Sequence, residues 1–162
     1  MNRQSVTKWL VRLSRFGLAA LFLFTSVAKL AILRAFAKNV GELLSASGIN
    51  YQRWSWPVTI AVVVNETVIG ILLLVPRTVR IGALSAAALL TAFAGYALYY
   101  VYVLNGEPLE CGCFGGIIAS QLGVKTALRN LALLVPALIV WFGYRRRIGK
   151  TINEMTTDPA TV

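Results

Sequence analysis

IGALSAAALLTAFAGYALYYVYVL, residues 81–104, contains no charged side chain. A helix rising 1.5 Å per residue needs about 20 mostly apolar residues to cross about 30 Å of hydrocarbon. This run meets that length. Working outward, three more stretches qualify: residues 16–33, interrupted by Lys29; residues 57–75, interrupted by Glu66; and residues 124–144, with Lys125 and Arg129 in the first two turns. All four are predicted to be helices, because lipid offers exposed backbone groups no partner. None alternates apolar and polar residues with the period of two that a barrel strand needs. The expected fold is an all-α membrane protein, a four-transmembrane-helix bundle.

Composition agrees. The 162 residues are 57% apolar and 14% charged, against about 25% charged in soluble proteins, and the mean hydropathy is +0.70. A net charge of +10 in a soluble domain would suggest nucleic acid. Here the basic residues flank the apolar runs, so they are read as topology signals, with the lipid bilayer and no nucleic acid as partner. Arg3, Lys8, Arg12 and Arg15 precede span one. Arg77 and Arg80 separate spans two and three, and Arg145, Arg146, Arg147 and Lys150 follow span four. Residues 105–123, between spans three and four, carry Glu107 and Glu110 and no basic residue. The positive-inside rule then gives a multi-pass inner or plasma membrane protein, N-in and C-in. Residues 1–15 form a basic cytoplasmic terminus, and residues 145–162 a basic, then polar, cytoplasmic tail. A competing reading makes the first span a signal peptide cleaved after Ser26-Val27-Ala28. The apolar stretch is longer than a usual signal core, which favours a retained span.

Smaller features refine this picture. Trp54 and Trp56, then Tyr96, Tyr99, Tyr100 and Tyr102, then Trp141 and Tyr144 fall near span ends, where amphipathic rings favour the headgroup level. Ala83, Ala87, Thr91 and Gly95 recur every four residues, a row on which another helix can pack closely. RAFAKNVGELLSAS, residues 34–47, is weakly amphipathic and is expected as a short helix on the outer surface. The tail beyond Lys150 is polar, contains Pro159, and has the character of a disordered terminus.

Two groups of residues can carry chemistry. The first is Cys111-Gly112-Cys113, followed by Phe114-Gly115-Gly116. The topology puts these cysteines on the oxidising side of the membrane, where disulfides persist. One intervening residue allows only a small, strained ring, and strained exposed disulfides are the labile ones. Gly112 lowers the steric barrier to such a turn. A redox-active dithiol is therefore the leading reading. A static staple and a thiophilic-metal site, such as one for Cu(I), are the alternatives. The chain has no histidine, so the commonest general base and metal ligand is missing, and no metal site is assigned.

The second group is the charges within spans: Lys29, Glu66 and Arg129. Such residues are costly in hydrocarbon and mark function when they face the bundle interior. Positive charge near a thiol favours thiolate, and a carboxylate can relay protons. The plainer reading has Lys29 and Arg129 snorkelling to the headgroups and Glu66 as a structural carboxylate. Asn65 and Asn130 are candidates for hydrogen bonds between helices.

Taken together, these residues resemble those of the methylamine-utilisation MauE proteins, within the wider DoxX-like membrane family. The matching features are Val27-Ala28-Lys29-Leu30, Asn65-Glu66, Cys111-Gly112-Cys113-Phe114-Gly115 and Arg129-Asn130, spread over residues 16–144. The resemblance implies a four-helix membrane protein engaged in extracytoplasmic redox work. It further implies a role in maturation of the disulfide-rich methylamine dehydrogenase small subunit, beside a thioredoxin-like partner. On this reading Cys111, Cys113 and Glu66 are catalytic, while Lys29, Arg129, Asn130 and Gly112 support them. A quinone held among the apolar helices is the candidate electron carrier. A thiophilic-metal transporter and a non-catalytic assembly scaffold are the competing functions.

Overall fold

The computed structural model describes the backbone of residues 3–104 and 124–156 and the side chains of residues 8–104 and 124–144. Within them the chain is all helix: α1 (Arg3–Ala31), α2 (Leu33–Ala46), α3 (Tyr51–Leu74), α4 (Val79–Tyr102) and α5 (Val124–Thr156). Four are long and apolar enough to cross a membrane, over Lys8–Ala31, Tyr51–Leu74, Val79–Tyr102 and Val124–Tyr144. Their outward faces carry large apolar side chains, among them Ile81, Leu84, Val64, Leu128 and Val135. A surface of that kind needs a lipid solvent; the protein is a multi-pass membrane protein.

α1 and α2 together form a broken antiparallel partner to α3. Arg15 reaches Leu73 and Leu74, Leu23 lies against Gly70, and Lys29 meets Glu66. Phe36 shares a cluster with Val63, and Gly41 faces Ser55 and Tyr51. The partner on α3 thus moves steadily toward its N-terminus as the chain leaves α1 and climbs α2. The break is a single residue, Ile32, and Phe36 N–H still donates to Ile32 O at 3.0 Å. This places α2 differently from the surface helix expected over residues 34–47. Its apolar face, Phe36, Ala37, Val40 and Gly41, is packed against the upper half of α3.

α4 packs chiefly on α5, and α5 closes the bundle against α1. The main core joins Leu18, Phe22, Ile69, Leu73, Ala83, Leu90 and Val140. The small-residue row of α4 is corrected by its own geometry. Four residues turn a helix by about 400°, so each step drifts by about 40°. Ala83 is therefore buried, Ala87 intermediate, and Thr91 and Gly95 exposed. The true buried stripe steps by three and four: Val79, Ala83, Ala86, Leu90, Ala94, Ala97. Just after the α3–α4 turn, a Cβ on Gly82 would lie 3.0 Å from Leu72 backbone and side-chain atoms, so only glycine permits this approach.

Other boundaries shift too. α3 starts at Tyr51 and runs through Pro57, which lies past the first turn and removes one hydrogen bond of the helix, a loss that membrane helices tolerate. α5 continues past Lys150 to Thr156, where a disordered tail was expected; between Lys150 and Pro159 there is no proline to end it. Of the tyrosines read as an interfacial belt, Tyr99 and Tyr102 are exposed, whereas Tyr100 is buried. Tyr96 turns inward to Ser47 at 3.0 Å and donates to Leu43 O at 3.0 Å.

The largest surprise is Arg15, a topology flank on sequence grounds. It is buried and donates from Nε to Leu73 O at 2.6 Å, from Nη2 to Leu74 O, and from Nη1 to the Tyr144 hydroxyl at 2.8 Å. The last carbonyls of a helix lack partners within it and carry partial negative charge. A guanidinium fork satisfies both needs, so Arg15 caps α3 and ties it to α5.

Candidate functional site

Lys29 is two residues from the end of α1, and Glu66 lies mid-way along α3. Because α1 stops part-way up α3, the two side chains meet directly: Lys29 Nζ donates to Glu66 Oε1 as a buried ion pair. Side-chain exposures of 2% and 4% rule out the snorkelling expected for Lys29 on the plainer reading. The polar seam continues one turn below, where Ser26 and Thr67 hydroxyls lie 2.6 Å apart and Ser26 also donates to Val63 O at 3.3 Å. Two aromatic faces bracket the ammonium, Phe36 at 5.1 Å and Phe93 at 5.8 Å. Such faces attract a desolvated cation, and together with Glu66 they hold a charge the bilayer would reject.

Two hollows flank the pair. Lys29 lines a partly open cavity of about 240 Å³ to which α1 through α5 all contribute, with Phe36, Val40, Val62, Phe93 and Asn130 among its walls. Glu66 lines a smaller void of about 30 Å³, shared with Thr25, Phe93, Arg129 and Asn130. That volume admits a water molecule. Phe93 and Asn130 line both, so they form the partition. Glu66 Oε2 has no hydrogen-bond partner among the described residues, and neither has Asn130 Nδ2, which borders both hollows.

The sequence-based residues fall into three groups. Lys29, Glu66, Arg129 and Asn130 come together around the two hollows. Asn65 is exposed on α3 and has no hydrogen bond to another helix among the described residues. Cys111, Gly112 and Cys113 lie outside the described residues. The cavity does reach Tyr96 on α4 and Thr126 on α5, close to the two helix ends between which residues 105–123 run.

Sequence reasoning missed Phe36, Phe93 and the Ser47–Tyr96 contact. Phe36 carried a faint signal, being the first aromatic residue after Lys29, seven positions on. Phe93 carried none, as one aromatic residue in an apolar run has no distinguishing neighbour.

No curated protein and no solved structure matches the chain. The family model described as methylamine utilisation protein MauE does, over residues 7–143. The matched stretch spans α1 from near its start through the membrane-crossing part of α5, and it takes in the ion pair, both hollows and the Cys-Gly-Cys run. The chain belongs to the methylamine utilisation protein MauE family.

Proposed function

We propose that the protein is the membrane component of a thiol–disulfide exchange system, with Cys111 and Cys113 cycling between dithiol and disulfide on the extracytoplasmic side. In the oxidising direction, a thiolate of a thioredoxin-like protein attacks the Cys111–Cys113 bond and forms a mixed disulfide. Its second thiol resolves that bond. The partner leaves as a disulfide, and both cysteines are left as thiols. Two electrons and two protons must then leave the pair, and a membrane quinone takes both to become a quinol. The disulfide made this way is passed to an extracytoplasmic protein of the methylamine dehydrogenase type during its maturation.

The observation that carries this reading is the buried Lys29–Glu66 pair, which sits beneath the helix ends that lead into residues 105–123. An ion pair this deep costs desolvation that apolar packing would avoid. The presence of so costly a pair in this chain favours a role beyond folding. Glu66 is the proton relay, while Lys29, Arg129 and Asn130 support it. The orientation required is N-in and C-in. The test is thiol trapping in intact cells, combined with a Cys111→Ser, Cys113→Ser double variant scored for partner maturation. Both cysteines should change redox state with electron-acceptor supply, and the double variant should block maturation. A double variant with full maturation overturns the proposal.

A further inference from the structure

The 240 Å³ cavity is more than a packing fault. An apolar protein cavity of about 150 Å³ accommodates a benzene ring, so this one has room for a single substituted ring. Its walls are largely aromatic and aliphatic: Phe36, Phe93, Val40, Val58 and Val62. Its polar groups are unequal. Ser47 and Tyr96 bond each other and Leu43 O. Lys29 is neutralised by Glu66, yet an ammonium has three donors and Glu66 uses one. Asn130 is 5% exposed, lines the cavity, and its Nδ2 has no partner among the described residues. Burying an amide without a partner is costly. The inner end therefore presents donors beside a net-neutral ion pair. A neutral carbonyl oxygen satisfies those donors, while a carboxylate would face Glu66 at close quarters.

We propose that this cavity binds the ring of a membrane quinone, with Asn130 Nδ2 and Lys29 Nζ donating to one ring carbonyl and with Phe36 and Phe93 against the ring. The choice of a quinone among neutral carbonyl compounds rests on the thiol–disulfide reading; the preference for a carbonyl-bearing ring rests on the cavity alone.

The experiment uses the full chain in lipid nanodiscs, titrated with a decyl-substituted dimethoxy-methyl-benzoquinone or, at the same membrane mole fraction, with decylbenzene. Ligand bound only to the folded state raises the unfolding midpoint. The quinone should raise it saturably and decylbenzene should not. Asn130→Leu should raise the half-saturating mole fraction at least about tenfold, and Val62→Phe, which fills the cavity from its wall, should abolish the shift. The Cys111→Ser, Cys113→Ser variant should bind as the unaltered protein does. Equal shifts from quinone and decylbenzene would mark a hydrocarbon or acyl-chain site and overturn the proposal, as would an undiminished quinone response in Asn130→Leu. Quinone binding with normal maturation in the cysteine double variant would overturn the exchange reading and leave the cavity assignment standing.

Discussion

Replacing Glu66 with leucine leaves the Lys29 ammonium 2% exposed with no counter-charge. Breaking a buried pair from one side costs about 3–5 kcal/mol, because the surviving charge is uncompensated. The rings of Phe36 and Phe93 face the ammonium in parent and variant alike, so they cancel in the difference and the loss should be at least about 3 kcal/mol. At 1.4 kcal/mol per decade that is roughly a hundredfold rise in the unfolding constant. Lys29→Met should cost a similar amount by stranding the carboxylate. The double change Lys29→Met, Glu66→Leu removes both charges and refills the space with apolar atoms, an exchange that is often neutral or stabilising. The two substitutions should therefore be far from additive, with a coupling above the roughly 0.5–3 kcal/mol usual for neighbouring residues. Reversible denaturation in mixed micelles, followed by far-UV circular dichroism, measures all four corners of the cycle. Single variants within about 0.5 kcal/mol of the parent, or a double variant equal to their sum, would refute the reasoning; surface pairs behave in that way.

Arg15→Ala should destabilise the bundle by about 2–3 kcal/mol, since it leaves two terminal carbonyls of α3 unmet, and hydrogen bonds to charged groups are worth about 1.5–3 kcal/mol each. Arg15→Lys should recover little, because an ammonium lacks the fork that spans Leu73 O, Leu74 O and Tyr144; micellar unfolding checks both. Gly82→Val should cost about 1–3 kcal/mol by overpacking against Leu72, with reduced expression of folded protein as the readout. A membrane-impermeant maleimide added to intact cells should label Cys111 and Cys113 once disulfides are reduced; labelling only after permeabilisation would reverse the assigned orientation.

The four spans were legible because each is a long apolar run, and length alone identifies such runs. Lys29 and Glu66 were legible as exceptions within them. Their meeting was not, because it depends on where α1 stops relative to α3, and the one-residue break at Ile32 has no proline or glycine to announce it. Arg15 was misread for a related reason. A basic residue beside an apolar run is a topology signal by default, yet Arg15 also falls in the 3–4 register of Val11, Leu18, Ala19 and Phe22, the buried face of α1. Read by register, it belongs inside. The cavity was out of reach of the sequence, since its walls come from all five helices and nothing in the chain marks those few residues as neighbours.

The broken hairpin of α1–α2 against α3 bears on how the chain enters the bilayer during synthesis. Lys29 and Glu66 are 37 residues apart, and both have been translated before α4 and α5 exist. A lone ionised side chain at the centre of a translocating helix costs about 2.5–3.5 kcal/mol on insertion scales. Delivered one after the other, α3 would meet that barrier at Glu66, mid-way along it, and α1 a smaller one at Lys29, near its end. Delivered as a preformed hairpin, they present the bilayer with a dipole in place of two monopoles, and the nascent chain carries its own neutralisation across the first step of membrane integration.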